Sequence, residues 1–242
     1  VCNAGEEGLG NLKGVHKICE DFGDRIERFC TFDSSLSSIV DRAVGSKRFR
    51  VRVRTRGGHS YDDFGNDNAI AGLASLVGKL YGIRVPEGGK TTYNVGMISG
   101  GTSVNTIAQE AEMLYEFRSD RRENLEYMER QFMEVFDRAK AEGMDVSFQV
   151  IGVRPCEGQV DPAQKQALTD WAHRVVEEMT GQAPKHHAGS TDCNIPLSLG
   201  IPSVCVGSFR GAGAHTREEY VETDSLEEGY KVAFGMIFGS RD

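Results

Sequence analysis

From Arg48 to Thr55 the chain alternates basic and apolar residues, the period-2 pattern of a strand with one buried face. The wider basic run, Lys47 to Arg56, then forms the solvated face of that strand. Asn66 to Tyr81 places Ile70, Leu73, Ala74, Val77 and Leu80 at helical spacing. Further strands are predicted over Thr92–Ile98, Glu110–Arg118 and Met144–Val153, with an amphipathic helix over Leu125–Ala141. The order β-α-β-β-α-β is that of a ferredoxin-like sandwich, complete within residues 46–155.

The flanking segments, 1–45 and 156–242, are patterned differently. The apolar run VCNA reads as a strand fragment, followed by a helix after Glu7 and a short strand ending at Phe32. Beyond residue 156 a helix is expected over about 162–180, a strand over Ser203–Val206 and a last helix from Asp224. Strands with helices around them make an α/β layer, but two clear strands underfill it. The middle segment therefore reads as an insertion into an incomplete α/β domain.

Composition narrows the partners. With 39% apolar and 26% charged residues the chain is of ordinary globular composition, and no apolar run reaches the length of a membrane span. A net charge of −8 disfavours nucleic acid and anionic membrane as partners. Six cysteines without a C-x-x-C pair read as reduced, small core residues, which suits a cytoplasmic protein. Nothing marks Cys193 as a nucleophile, and His16 and His173 read as surface residues.

Glu7 follows VCNA, Asp33 follows RFCTF, and His215 lies on the glycine-rich loop after SVCVG. In an open α/β sheet, ligands bind beyond the carboxyl ends of strands. Two carboxylates and an imidazole there suit a divalent ion such as zinc, manganese or cobalt. Glu6 would then face the attacking water as general base. The plainer reading is that Glu6 and Glu7 open a helix, complementing its dipole. Both readings hold together.

GEEGLG (5–10), GGHS (57–60), GGTSVNTI (100–107), YEFRSD (115–120), GSTDCNIPLSLGIPSV (189–204) and GAHTREEY (213–220) occur in this order. Together they resemble the M20 family of dinuclear metallopeptidases, which includes tripeptidase T-like aminopeptidases, carboxypeptidase G and acetylornithine deacetylase. The resemblance implies a zinc-peptidase-like α/β catalytic domain carrying an inserted ferredoxin-like lid and dimerisation domain. It implies Glu6 as general base, Glu7, Asp33 and His215 as ligands of two divalent ions, and His59 as a carbonyl-polarising residue contributed across the dimer. Asn105, Arg118, Gly189, Ser190 and Thr191 match substrate-contacting positions. Asn105 also reads as a turn residue, and Arg118 equally as a surface ion pair.

The family's H-x-D motif and bridging aspartate are absent from this sequence. The resemblance therefore implies the C-terminal portion of a longer homodimeric enzyme, inactive alone, that cleaves an amide of a small peptide. An N-acyl amino-acid deacylase and a non-catalytic dimerisation or binding module are the alternatives.

Overall fold

The computed structural model describes residues 1–214 and 216–239. The chain forms two compact units, Gly45–Val153 and the flanks Val1–Val44 with Arg154 onward. In chain order the first flank supplies α1 (Lys13–Phe22), β1 (Phe29–Phe32) and β2 (Ser38–Ala43). The middle unit follows with β3 (Gly45–Arg54), β4 (Gly58–His59), α2 (Ala69–Tyr81), β5 (Thr91–Gly100), β6 (Thr106–Ile107), β7 (Glu110–Ser119), α3 (Arg122–Ala141) and β8 (Asp145–Arg154). The second flank carries α4 (Pro162–Thr180), β9 (Lys185–Gly189), α5 (Asn194–Ser198), β10 (Ser203–Val206), β11 (Gly211–Ala212), β12 (Tyr220–Val221) and α6 (Ser225–Phe238).

The middle unit has the ferredoxin-like order expected from its periodicity. Its sheet runs β5-β7-β3-β8. Alternate residues of β3 (Phe49, Val51, Val53) and β7 (Ala111, Met113, Tyr115, Phe117) are buried. They pack with Leu73, Leu76 and Leu80 of α2 and Met128, Phe132 and Phe136 of α3. Asn68 starts α2 by accepting from the amides of Ile70 and Ala71, a cap typically worth about 1 kcal/mol. The opposite face of β3 is basic, as expected, and the structure adds what it faces. Arg48, Arg52 and Arg54 lie directly opposite Glu116, Glu112 and Glu110 of β7 and form cross-strand ion pairs.

The flanking unit has a four-stranded mixed sheet, β1-β10-β2-β9, rather than two strands. β1 runs parallel to β10, β10 antiparallel to β2, and β2 parallel to β9. β2 escapes the sequence pattern because its register shifts between Val40 and Arg42, which breaks the alternation. β9 (KHHAG) is a polar strand at the sheet's edge, with no apolar stripe to betray it. Helices α4 and α6 cover one face, burying Leu168, Trp171, Ala172, Val175, Val176, Val232 and Met236 against Ile39, Val204 and Val206. The expected strand over VCNA does not form. Residues 1–4 are exposed and pair with no strand, so the run lacks the neighbour that would make it one. No helix among the described residues is long and apolar enough to cross a membrane.

Candidate active site

The segment GEEGLGNL is a tight turn rather than the start of a long helix. Gly5, Gly8, Asn11 and Leu12 all have positive φ. A Cβ on Gly10 would lie 2.6 Å from the carbonyl oxygen of Gly5, so only glycine allows this closure. Leu12 is completely buried and anchors the turn with Val15 and Ile195. Glu6 is held half-buried, while Glu7, just before the short 3-10 turn Gly8–Gly10, stays exposed.

Arg154 fixes Glu6. Its Nη1 donates to Glu6 Oε1 at 2.9 Å and to Ser190 Oγ at 3.0 Å, and its Nη2 donates to the Glu6 carbonyl oxygen. Asn3 Nδ2 donates to Asp192 Oδ2 at 2.8 Å, and Asp192 Oδ1 is buried with no hydrogen-bond partner. Burial pushes the Glu6 carboxyl above its ordinary range. The Arg154 guanidinium pulls it back, and the charges of Glu7, Asp33 and Asp192 push it further up. The flanking unit thus brings Glu6, Glu7, Asp33 and Ser190 into one electrostatic neighbourhood. Sequence reasoning missed Arg154 and gave Asp192 no role.

Asp33 follows β1 directly, where its amide donates to Val206 O of β10 at 3.2 Å. The next residue, Ser34, has φ +135°, a strained value of the kind that concentrates at functional turns. Gly189 ends β9. Thr191 is buried, with its amide on Asn194 Oδ1 and its hydroxyl accepting from the Cys193 amide, so its polar groups serve the loop itself. Cys193 is buried and its thiol is pushed up by that burial, the opposite of what activates a nucleophilic cysteine.

His215 lies outside the described residues. Among the described residues, no three metal-ligating side chains converge tightly enough to hold an ion. Glu7 and Asp33 are hard oxygen donors that suit a divalent cation. Two such donors do not by themselves complete a coordination shell.

In the middle unit, His59 and Asn105 come together on the ribbon of β4 and β6. His59 pairs with Thr106, and the Ser60 amide donates to Asn105 O at 3.0 Å. His59 is exposed, and its Nδ1 faces the amides of Tyr61 and Asp62 at 3.4 Å. Arg118 stands apart, near the far end of β7. Both its donors there go to Glu116, at 2.9 and 3.1 Å, as the ion-pair reading expects. His173 lies partly covered at the surface, 2.8 Å from His186, which in turn meets Asp41 at 2.9 Å.

Residues 43–144 match the family model described as the peptidase dimerisation domain of M20 proteins. A Haemophilus influenzae protein, named as the homolog of a p-aminobenzoyl-glutamate hydrolase subunit, is 35% identical over 191 residues, covering 70% of this chain and 42% of that protein. Among solved structures, the aminopeptidase PepT of Bacillus cereus superposes with a TM-score of 0.73 at 24% identity, and a Staphylococcus aureus tripeptidase with 0.72 at 21%. Each superposition covers 97% of this chain and 62% of the other. An aminobenzoyl-glutamate utilization protein from Klebsiella pneumoniae reaches 0.67 at 16% identity, with 97% and 59% covered. The chain therefore spans less than two thirds of these relatives' length. Domain match, relative and shared fold agree: residues 43–144 match the dimerisation domain of M20 peptidases, and the chain has the fold of the PepT and tripeptidase structures.

Proposed function

We propose that the native gene product carrying this sequence hydrolyses an amide bond of a small peptide or an N-acyl amino acid, with Glu6 as general base. The observation that carries this reading is the half-buried Glu6, clamped through Oε1 by Arg154. The clamp leaves Oε2 to accept a proton from water as that water attacks the carbonyl carbon. As the C–N bond breaks, Glu6 returns the proton to the leaving amine. Burial raises the Glu6 carboxyl, which strengthens it as a proton acceptor toward water.

Glu7 and Asp33, with His215, would hold divalent metal in this reading, zinc first, with manganese or cobalt as alternatives. When bound, the metal supplies Lewis acidity toward water and the carbonyl. His59 and Asn105 would meet the substrate carbonyl, Arg118 a substrate carboxylate, and Gly189, Ser190 and Thr191 the pocket wall. Arg118 and Glu110 are eight residues apart on β7, which corresponds to roughly 27 Å, while the His59 ribbon lies beyond the Glu110 end. One chain cannot bring both groups to a dipeptide-sized substrate. They serve one site only from different subunits, which supports a homodimer built through the dimerisation domain.

The Haemophilus relative's name supports the N-acyl amino-acid class, and the aminopeptidase and tripeptidase structures support small peptides. Six free thiols fit a reducing cytoplasm. The test is direct: supply p-aminobenzoyl-glutamate or di- and tripeptides with zinc, manganese or cobalt, and follow the released amine by chromatography. Release that stops with a chelator is expected from the gene product, and none from the isolated 242-residue chain. A gene product that cleaves no amide in this panel overturns the reading.

A further inference from the structure

We propose that Arg154 is the positioning residue of this site, locking Glu6 and the Ser190 loop to the point where the chain returns from the middle unit. The inference rests on the reading of Glu6 as the base, but its geometry stands independently. The Arg154 side chain is only 5% exposed, and it takes three acceptors on two segments distant in sequence, Glu6 Oε1, Glu6 O and Ser190 Oγ. A guanidinium is used where a planar fork must hold two groups in fixed relation, a task an ammonium performs poorly. Its Nε is buried without an acceptor. The side chain therefore keeps this pose although one donor goes unmet, which is what a positional requirement predicts and a stability requirement does not.

The placement gives the lock its meaning. Arg154 is the first flanking-unit residue after the return from the middle unit, and Val44 is the last before the chain leaves. A second buried side chain, Asn194, donates to both Val44 O (2.8 Å) and Pro155 O (2.9 Å) while accepting from the Thr191 amide. Both crossings are thereby tied to the loop 190–194, and the return crossing is tied to Glu6 as well. A displacement of the crossing would be transmitted to the base and to the pocket wall by hydrogen bonds rather than by loose packing.

Hydrogen-exchange mass spectrometry on the 242-residue chain reads this directly. Arg154→Ala should speed exchange in peptides covering Glu6–Gly10 and Ser190–Asn194, leaving β10 and α4 at wild-type rates. Arg154→Lys should behave nearly as badly as alanine, and Ser190→Ala should loosen only the second segment. In a gene product that hydrolyses amides, Arg154→Ala should lower kcat about 10²-fold with little change in KM, and millimolar guanidinium should restore part of the rate. Faster exchange throughout β10 and α4, in lysine as in alanine, would reduce Arg154 to a structural residue and overturn the proposal. So would unchanged exchange at both segments, or an unchanged kcat. If no amide is hydrolysed at all, the base assignment fails while the exchange result still decides the lock.

Discussion

Asn194→Ala should destabilise the flanking unit severely, because this side chain is completely buried and serves three backbone groups. It accepts from the Thr191 amide at 2.9 Å and donates to Val44 O at 2.8 Å and Pro155 O at 2.9 Å. Each buried group stripped of its partner costs about 1–3 kcal/mol, and some of that is recovered if water enters the space. The sum is about 3–5 kcal/mol, or roughly 10–15 °C in Tm for a unit of this size. Asn194→Asp should be no better near neutral pH, since a carboxylate cannot donate to the two carbonyls. The assay is a urea titration followed by the fluorescence of Trp171, the chain's single tryptophan, which is buried in this unit. A second probe on the middle unit keeps the two transitions separate. A loss below about 1 kcal/mol for Asn194→Ala would refute the claim that it ties the two crossings to the loop.

Other outcomes follow from the same structure. Glu7→Ala in the gene product should weaken metal retention through dialysis, as elemental analysis would show; full retention would remove Glu7 from the ligand set. Mixing inactive Glu6→Gln and inactive His59→Ala subunits should restore part of the activity through mixed dimers, whereas verified heterodimers without activity would exclude a shared site. For Glu116, burial raises the carboxyl, but hydrogen bonds and charge from Arg118 and Arg48 prevail and hold it below its ordinary 4.5. A depressed carboxyl contributes stability above its unfolded pKa, lost as pH falls through the folded value. The middle unit should therefore weaken in acid below about pH 4.5, and Glu116→Gln should flatten that slope.

The middle unit was legible because its elements repeat their patterns cleanly. Phe49, Val51 and Val53 alternate with arginines, and the α2 and α3 leucines and phenylalanines recur at helical spacing. The flanking unit was half-legible. Its β10 is buried throughout and apolar after Ser203, but β2 carries an irregularity and β9 is polar, so neither shows a period. VCNA misled because apolar content makes a strand only where a neighbour pairs with it. At the site, Glu6, Glu7 and Asp33 stood out through their turns. Arg154 did not, because an arginine ending a strand looks the same whether it meets water or a half-buried glutamate 148 residues away. Asp192 was visible in GSTDC, but its burial beside Asn3 depends on contacts across 189 residues.

The central claim is that Glu6 transfers the proton in amide hydrolysis, and substitution to glutamine tests it most directly. Glutamine keeps the shape and can still accept from Arg154, but it cannot take a proton from water. Metal content and kcat should be measured side by side on the gene product, with p-aminobenzoyl-glutamate as substrate. The account predicts that Glu6→Gln retains wild-type metal content while kcat falls by about 10²–10⁴-fold, the usual contribution of general acid–base catalysis. An unchanged kcat at equal metal content would contradict it.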